Sequence, residues 1–296
     1  MMREADLPAV LLVDKPEGPT SHDVVRVARR ALGVRRVGHT GTLDPFASGL
    51  LLLCVGPATR LVEYFHLLSK VYSATAILGV ETDSEDRTGR VTERSDAWAG
   101  VTREDVDRVA DTLRGPQSQV PPAFSAKKVA GRRAYEAARA GETLELEPRS
   151  VHVHSLEVVD VRPREVDLVV EVSTGTYVRS LARDLGKRLG CGAHLAALRR
   201  LAIGPFPVTD AASLADLERG ILPGSASRTA AGSVSWLPVR NLSPSEVAGV
   251  EQGRPIPGAG STGDPHLPVA MVSGERLVAV GRRDEEFLRP EKVFHE

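Results

Sequence analysis

Residues 38–56 read GHTGTLDPFASGLLLLCVG, a glycine-rich turn with one histidine and one aspartate that runs straight into one of the most apolar segments of the chain. Asp44 stands before Pro45, and two readings follow. It is a helix N-cap with proline at the first helical position, its carboxylate accepting from free backbone N–H groups. Or it is a catalytic carboxylate held on a rigid turn. Caps are the commoner use of such an aspartate, so the stretch alone favours the cap, and the rest of the chain has to decide.

The chain has 296 residues, 42% hydrophobic and 26% charged. This is the composition of a soluble globular protein, long enough for a large domain and a small one. Lys and Arg number 38 against 39 Asp and Glu, a formal charge of −1, so any contact with nucleic acid has to come from local patches. Near the start, AVLLV is too short for a secretory segment or a membrane span; a cytoplasmic location and no membrane partner are expected. Cys54 and Cys191 lack CxxC spacing and read as buried thiols.

TSHDVVRVARRALG predicts a helix with Ser21 as N-cap, Val24, Val25, Ala28 and Leu32 on one face, and Gly33 at its end. Arg26, Arg29 and Arg30 line its other face, either as a solvated surface or as a phosphate-binding patch. SKVYSATAILG alternates as a strand and leads into the acidic turn Glu81–Asp86, which lacks the order of a calcium loop. VTREDVDRVADTLRG predicts a helix opened by Thr102 and Asp105 as a capping box. In QVPPAFSAKKVAGRRAYEAARAG, Lys127, Lys128, Arg132 and Arg133 form a basic cluster, an ordinary surface loop or an element that clamps an anion. Two strand-like runs around Pro163 precede a helix carrying Val178, Leu181, Ala182, Leu185 and Leu189 on one face, with Gly190 at its end. His152 and His154 have no carboxylate or cysteine motif beside them and are assigned no metal. Residues 220–235 are rich in Gly, Ser and Ala and read as a linker. LPVAMVSGERLVAVGRRD beyond it is a hairpin signal, so a small β-rich C-terminal domain is expected.

GHTGTLDPFASGLL resembles the catalytic motif of the TruB family of tRNA pseudouridine synthases. The resemblance extends through KVYSATAILGVETDSEDRTG, the basic QVPPAFSAKK block and STGTYVRSLARDLGKRLGCGAHLAALRRL, in the family's order, over about residues 8–210. Ser48 stands where the family often has threonine. The resemblance implies an α/β fold of the α+β type, with a mixed, largely antiparallel sheet and flanking helices. It implies a catalytic domain over residues 1–235, including an RNA-clamping insertion at about 117–146 and the linker, and a PUA-like RNA-binding domain over 236–296.

The function implied is isomerisation of the T-loop uridine numbered 55 by convention in tRNA. The glycosidic bond breaks, the uracil turns while bound, and its C5 joins the ribose. No atom or electron is transferred to another molecule, so neither a cofactor nor a metal is expected. By the resemblance, Asp44, Tyr72 and Arg179 are the catalytic residues, with Arg179 pairing Asp44 and keeping it ionised. Tyr72 lies against the target base, where its hydroxyl helps to move the C5 proton. Tyr177 and Leu198 line the uracil pocket, and His39 fills the stack that the flipped base vacates. Arg26, Arg29, Arg30, Lys127, Lys128, Arg132 and Arg133 are assigned to RNA as a group. The partner expected is the T-arm of tRNA, met by a monomer without an obligate protein partner. The alternative is a noncatalytic tRNA-binding or folding protein on the same scaffold. An Asp-dependent phosphoryl or glycosyl hydrolase is more distant, because no P-loop, metal cluster or paired catalytic carboxylate is present.

Overall fold

The alternation in KVYSATAIL becomes a strand, Lys70–Leu78, in which Lys70, Tyr72, Ala74, Ala76 and Leu78 are buried. Side chains two residues apart share one face of a strand, so a period of two commits that face to a core. The computed structural model describes residues 8–124, 128–129, 132–133, 146–258, 264, 266–284 and 286–295, with the backbone alone at 128–129 and 132–133. The chain divides into two units: Met1–Leu43, Leu50–His66 and Pro205–Glu296 form the first, Asp44–Gly49 and Leu67–Gly204 the second.

In the second unit the strand order is Ala193–Ile203, Lys70–Leu78, Glu165–Val172, Arg149–Arg162, Gly115–Gln119, and every neighbouring pair is antiparallel. Ser48 and Gly49 run parallel to Arg199 and Arg200, which makes the sheet mixed. Helix Val178–Arg188 buries Val178, Leu181, Ala182 and Leu185 of the predicted face; Leu189 falls one residue past its end, at the C-cap expected for Gly190, and is only half-buried. A β-carbon on its Gly186 would lie 2.3 Å from the backbone nitrogen of Ala193, so glycine lets this helix approach the strand closely. Helix Arg103–Thr112 carries the expected capping box between Thr102 and Asp105.

In the first unit, strand Val10–Lys15 lies between Ala212–Ser213 and the strand Ser48–Val55, here through Leu50–Val55. Leu50, Leu51, Leu52, Leu53 and Cys54 are all fully buried, the signature of a strand covered on both faces. Burial pushes the Cys54 thiol up to about 12. Helix Ser21–Leu32 packs Val24, Val25, Ala28 and Leu32 into a core with Leu11, Val13, Leu51 and Leu53. Its cap is Thr20, not Ser21: Thr20 and Asp23 form a reciprocal capping box. Those hydrogen bonds from Thr20, together with Arg26, hold the Asp23 carboxyl down at about 2. Ser21 is instead buried, and its hydroxyl accepts from Leu43 N–H at 2.8 Å and donates to Leu43 C=O at 3.0 Å.

The segment 220–235, expected as a linker, is ordered: Ser227 and Arg228 pair antiparallel with Leu11 and Val10, Thr229 caps helix Ala230–Ser233, and Ala226 and Val234 are buried. Small residues there permit close packing rather than looseness. Further on, strands are ordered Val239–Asn241, Val269–Ser273, Arg276–Arg283, Phe287–Val293, Ile256–Pro257, and helix Pro244–Glu251 is capped by Ser243 and Glu246. Leu242, Val250, Met271, Val278 and Leu288 form their core. The predicted hairpin turns at Gly274, whose φ is +60°.

Gly49 has a φ of +104°, and a β-carbon there would lie 2.2 Å from the carbonyl oxygen of Arg200. Gly49→Ala should therefore cost more than about 3 kcal/mol. Gly190→Ala, with a φ of +75° and open space around it, should cost about 1–2 kcal/mol. Urea unfolding of the two variants measures the difference.

Candidate active site

Asp44 caps no helix. Its carbonyl accepts from Ala47 N–H at 3.1 Å, closing a β-turn with Pro45 in second position, and the strand Ser48–Val55 follows. Proline's fixed φ serves this turn as well as it serves a first helical turn, and the double-sided burial of the leucine run selects the strand. The Asp44 side chain is directed to another partner. Its Oδ2 lies 3.0 Å from Arg179 Nε.

Arg179 is the second residue of helix Val178–Arg188 and is 4% exposed. Its Nη1 donates to Ser84 C=O at 2.9 Å and lies 3.4 Å from Asp86 Oδ2, while Nη2 donates to Phe124 C=O at 3.0 Å. The guanidinium thus reaches two carboxylates and two carbonyls from one plane. Asp44, with its side chain 35% exposed, is the carboxylate of the two that solvent can reach; Asp86, at 5%, is enclosed.

Sequence reasoning missed Asp86. The acidic turn invites comparison with a calcium loop, yet Asp86 Oδ1 accepts from Ser84 Oγ at 2.9 Å, Thr88 N–H at 2.9 Å and Thr88 Oγ1 at 2.6 Å, leaving Oδ2 toward Arg179. Glu85 beside it has a φ of +62° and is paired with Arg183 and with Ser180 Oγ at 2.7 Å. Burial pushes the Glu85 carboxyl up, and those two partners oppose the push. Backbone bonds from Leu195 N–H to Glu85 C=O and from Arg87 N–H to Leu195 C=O, 3.0 and 2.9 Å, tie the turn to strand Ala193–Ile203. The signal available in the sequence was the D-S-E-D-R-T order, small hydroxyls flanking a carboxylate, which suits a self-bonded turn.

Tyr72 lies opposite Arg200 on one neighbouring strand and Val170 on the other, and Leu198 lies opposite Ala74. Opposed residues of antiparallel strands share a face, so Tyr72 and Leu198 are diagonal neighbours on the buried face. Tyr177 is the residue before helix Val178–Arg188. Its N–H donates to Gln119 Oε1 at 2.8 Å and its C=O accepts from Gln119 Nε2 at 3.1 Å. Lys70, two residues before Tyr72, is 6% exposed, and its ammonium donates to Leu68 C=O at 2.6 Å and to the Thr174 hydroxyl. Phe46, in the Asp44 turn, has the Arg87 guanidinium 5.9 Å from its ring centre.

The remaining predicted residues stand as follows. His39 ends the short strand Val37–His39, opposite Leu53 in the first unit. On helix Ser21–Leu32, Arg26 pairs with Asp23 and Arg29 donates to Val37 C=O at 3.1 Å; Arg30 lies in its last turn. Lys128 and Arg133 are opposed in a two-residue strand pair with Val129 and Arg132. Lys127 lies outside the described residues. Among the described residues no group of three His, Cys, Asp or Glu is placed to hold a metal ion, and no helix is long and apolar enough to cross a membrane.

Residues 29–178 match the model of the TruB family pseudouridylate synthase N-terminal domain, and residues 179–232 that of the tRNA pseudouridylate synthase B C-terminal domain. The chain is 44% identical over 296 residues to tRNA pseudouridine synthase B of Thermobifida fusca, covering 96% of this chain and 98% of that one. It is 43% identical to the protein of the same name from Mycobacterium leprae, over 97% and 91% of the two chains. Among solved structures it is similar to a chain of an H/ACA RNP bound to a substrate RNA containing 2'-deoxyuridine, with a TM-score of 0.74, 27% identity and coverage of 97% and 85%. A chain of a Cbf5-Nop10-Gar1 complex gives a TM-score of 0.75 at 28% identity, covering 97% and 84%.

Burial, with Arg200 adding to it, lowers the Lys70 ammonium to about 8. The unfolded chain keeps that proton to about pH 10.4, so between these values the unfolded state binds more protons and folding gains stability as pH rises. Lys70→Met removes this effect. Between pH 7.5 and pH 10 the urea midpoint of the wild type should therefore rise relative to that of the variant.

Proposed function

The chain belongs to the TruB family of pseudouridylate synthases, enzymes that isomerise uridine, and from that premise we propose that this tRNA pseudouridine synthase acts on T-loop uridine 55 with Asp44 as its essential carboxylate. The observation that supports this reading most is the 3.0 Å pairing of a partly exposed Asp44 with a buried Arg179. A cation held in place by other contacts favours the ionised carboxylate next to it, which a nucleophile or base needs. In the reaction the N1–C1' bond breaks, a C5–C1' bond forms, the C5 proton leaves and N1 gains one. Asp44 attacks the ribose, attacks the base or removes a sugar proton; all three require its charge.

The other roles follow the same proposal. Tyr72 faces the uracil and its hydroxyl assists transfer of the C5 proton, while Leu198 and Tyr177 wall the pocket. His39 enters the stack after base flipping, an extrusion that costs a few kcal/mol. Arg26, Arg29, Arg30, Lys127, Lys128, Arg132 and Arg133 neutralise phosphates of the T-arm. We read residues 1–235 as the catalytic domain and 236–296 as a PUA-like RNA-binding domain, the latter supported by its own five-stranded sheet. The protein works as a cytoplasmic monomer that needs no obligate protein partner.

With an unmodified T-arm stem-loop in EDTA, the wild type should form pseudouridine at the T-loop uridine. Asp44→Asn keeps the side-chain shape and removes the charge. It should stay folded and bind the T-arm with single-turnover product below detection, and near-normal turnover would remove Asp44 from the chemistry. Arg179→Lys keeps the charge without the planar donor set and should lose about a hundredfold in the same assay.

Replacing Lys127, Lys128, Arg132 and Arg133 together with glutamine should weaken tRNA binding. The slope of log affinity against log salt should flatten by about 0.7–0.9 for each phosphate that is no longer neutralised. An unchanged slope returns this cluster to ordinary surface.

A further inference from the structure

Helix Val178–Arg188 begins without a side-chain cap of its own: Tyr177, at the cap position, makes no side-chain hydrogen bond to the first turn. Its place in the second unit is fixed from outside. Gln119, the last residue of strand Gly115–Gln119 and 2% exposed, clasps both backbone polar groups of Tyr177 with its amide. The Tyr177 carbonyl also accepts the first helical bond, from Leu181 N–H at 3.2 Å. The strand is itself anchored, with Gln119 opposite Arg149.

The residues just after Gln119 continue this connection. Val120 C=O accepts from Ser180 Oγ at 3.2 Å and from both terminal nitrogens of Arg183 at 3.3 Å. Phe124 C=O accepts from Arg179 Nη2. Residues 119–124 are thus stitched to the first two turns of the helix that carries Arg179.

We infer that Gln119 is a positioning residue for the Asp44–Arg179 pair: its two-point grip on Tyr177 fixes where the helix starts and so where the Arg179 guanidinium sits. The inference rests on the reading of that pair as catalytic. Only an amide does this work in the buried site, because it presents one donor and one acceptor at fixed separation. A carboxylate would face the Tyr177 carbonyl with no donor, and an apolar side chain would leave both backbone groups without Gln119's hydrogen bonds. One residue, Val178, separates the clasped Tyr177 from Arg179, and a displacement of about 1 Å at a reacting group can cost on the order of a hundredfold in rate.

The test is single-turnover pseudouridine formation by Gln119→Leu, with T-arm affinity and urea midpoint measured on the same preparations. The expected result is a rate lowered about thirtyfold, with the affinity within about twofold of wild type. Combined with Arg179→Lys, the losses should be less than multiplicative, because both changes disturb the same pairing. A rate within about threefold of wild type, or losses that multiply, overturns the assignment. Gln119→Glu, which keeps the acceptor and lacks the donor, is judged by the same criteria if Gln119→Leu does not fold. Failure of both to fold makes Gln119 a residue of the fold alone and also overturns it. Asp44→Asn is run alongside: if it turns over normally, the catalytic reading of the pair fails, whatever Gln119 does.

Discussion

A guanidinium removed from water has to find its partners in the protein, and Arg179 finds them in four directions of its plane. An unpaired buried charge would cost several kcal/mol, so the elements that supply Ser84, Asp86 and Phe124 have to be in place before this cation is tolerable. Asp86 shares that burden from an enclosed position, with its other oxygen occupied by Ser84 and Thr88. Asp44 meets the cation at Nε from a partly exposed position. One carboxylate is enclosed with the cation and the other stays open to solvent.

This division of labour explains why the surrounding backbone is irregular. Glu85 adopts a left-handed φ, uncommon for a residue with a β-carbon, where the chain must turn to present Ser84 C=O and the Asp86 carboxylate on the same side. The strain is held by Arg183 and Ser180 on the Glu85 side chain and by the Leu195 ladder on its backbone. Local strain of this kind persists only where neighbours over-determine it. Ser21 shows the same device within the first unit, gripping both backbone groups of Leu43, the residue that precedes Asp44 in sequence.

What could be read from the residues was whatever depends on periodicity and local caps. The strand Lys70–Leu78, the two strands around Pro163, the helix faces of Val24–Leu32 and Val178–Leu185, and the hairpin at Gly274 all announce themselves by spacing. The Asp44–Arg179 pairing was legible only through the family resemblance, since 135 positions separate the two in sequence. Features that depend on partners distant in sequence stayed hidden. Ser21 looked like a cap because its target, Leu43, belongs to another segment. Residues 220–235 looked loose because their small side chains reveal packing only once Val10 and Leu11 are beside them. Asp86 and Gln119 carry no periodic signal, and their hydrogen bonds cross 93 and 58 positions.

The pairing of Val10 and Leu11 with Arg228 and Ser227 sets a schedule for synthesis. One side of strand Val10–Lys15 can be covered early by Leu50–Val55, but Ala212–Ser213 and Ser227–Arg228 leave the ribosome only after most of the chain. At bacterial-scale translation speeds this leaves an apolar strand edge open for roughly 10–45 seconds. An open edge of that kind recruits other chains. The nascent protein is thus more exposed to aggregation than its finished fold, and slowing translation between these segments lengthens the exposure.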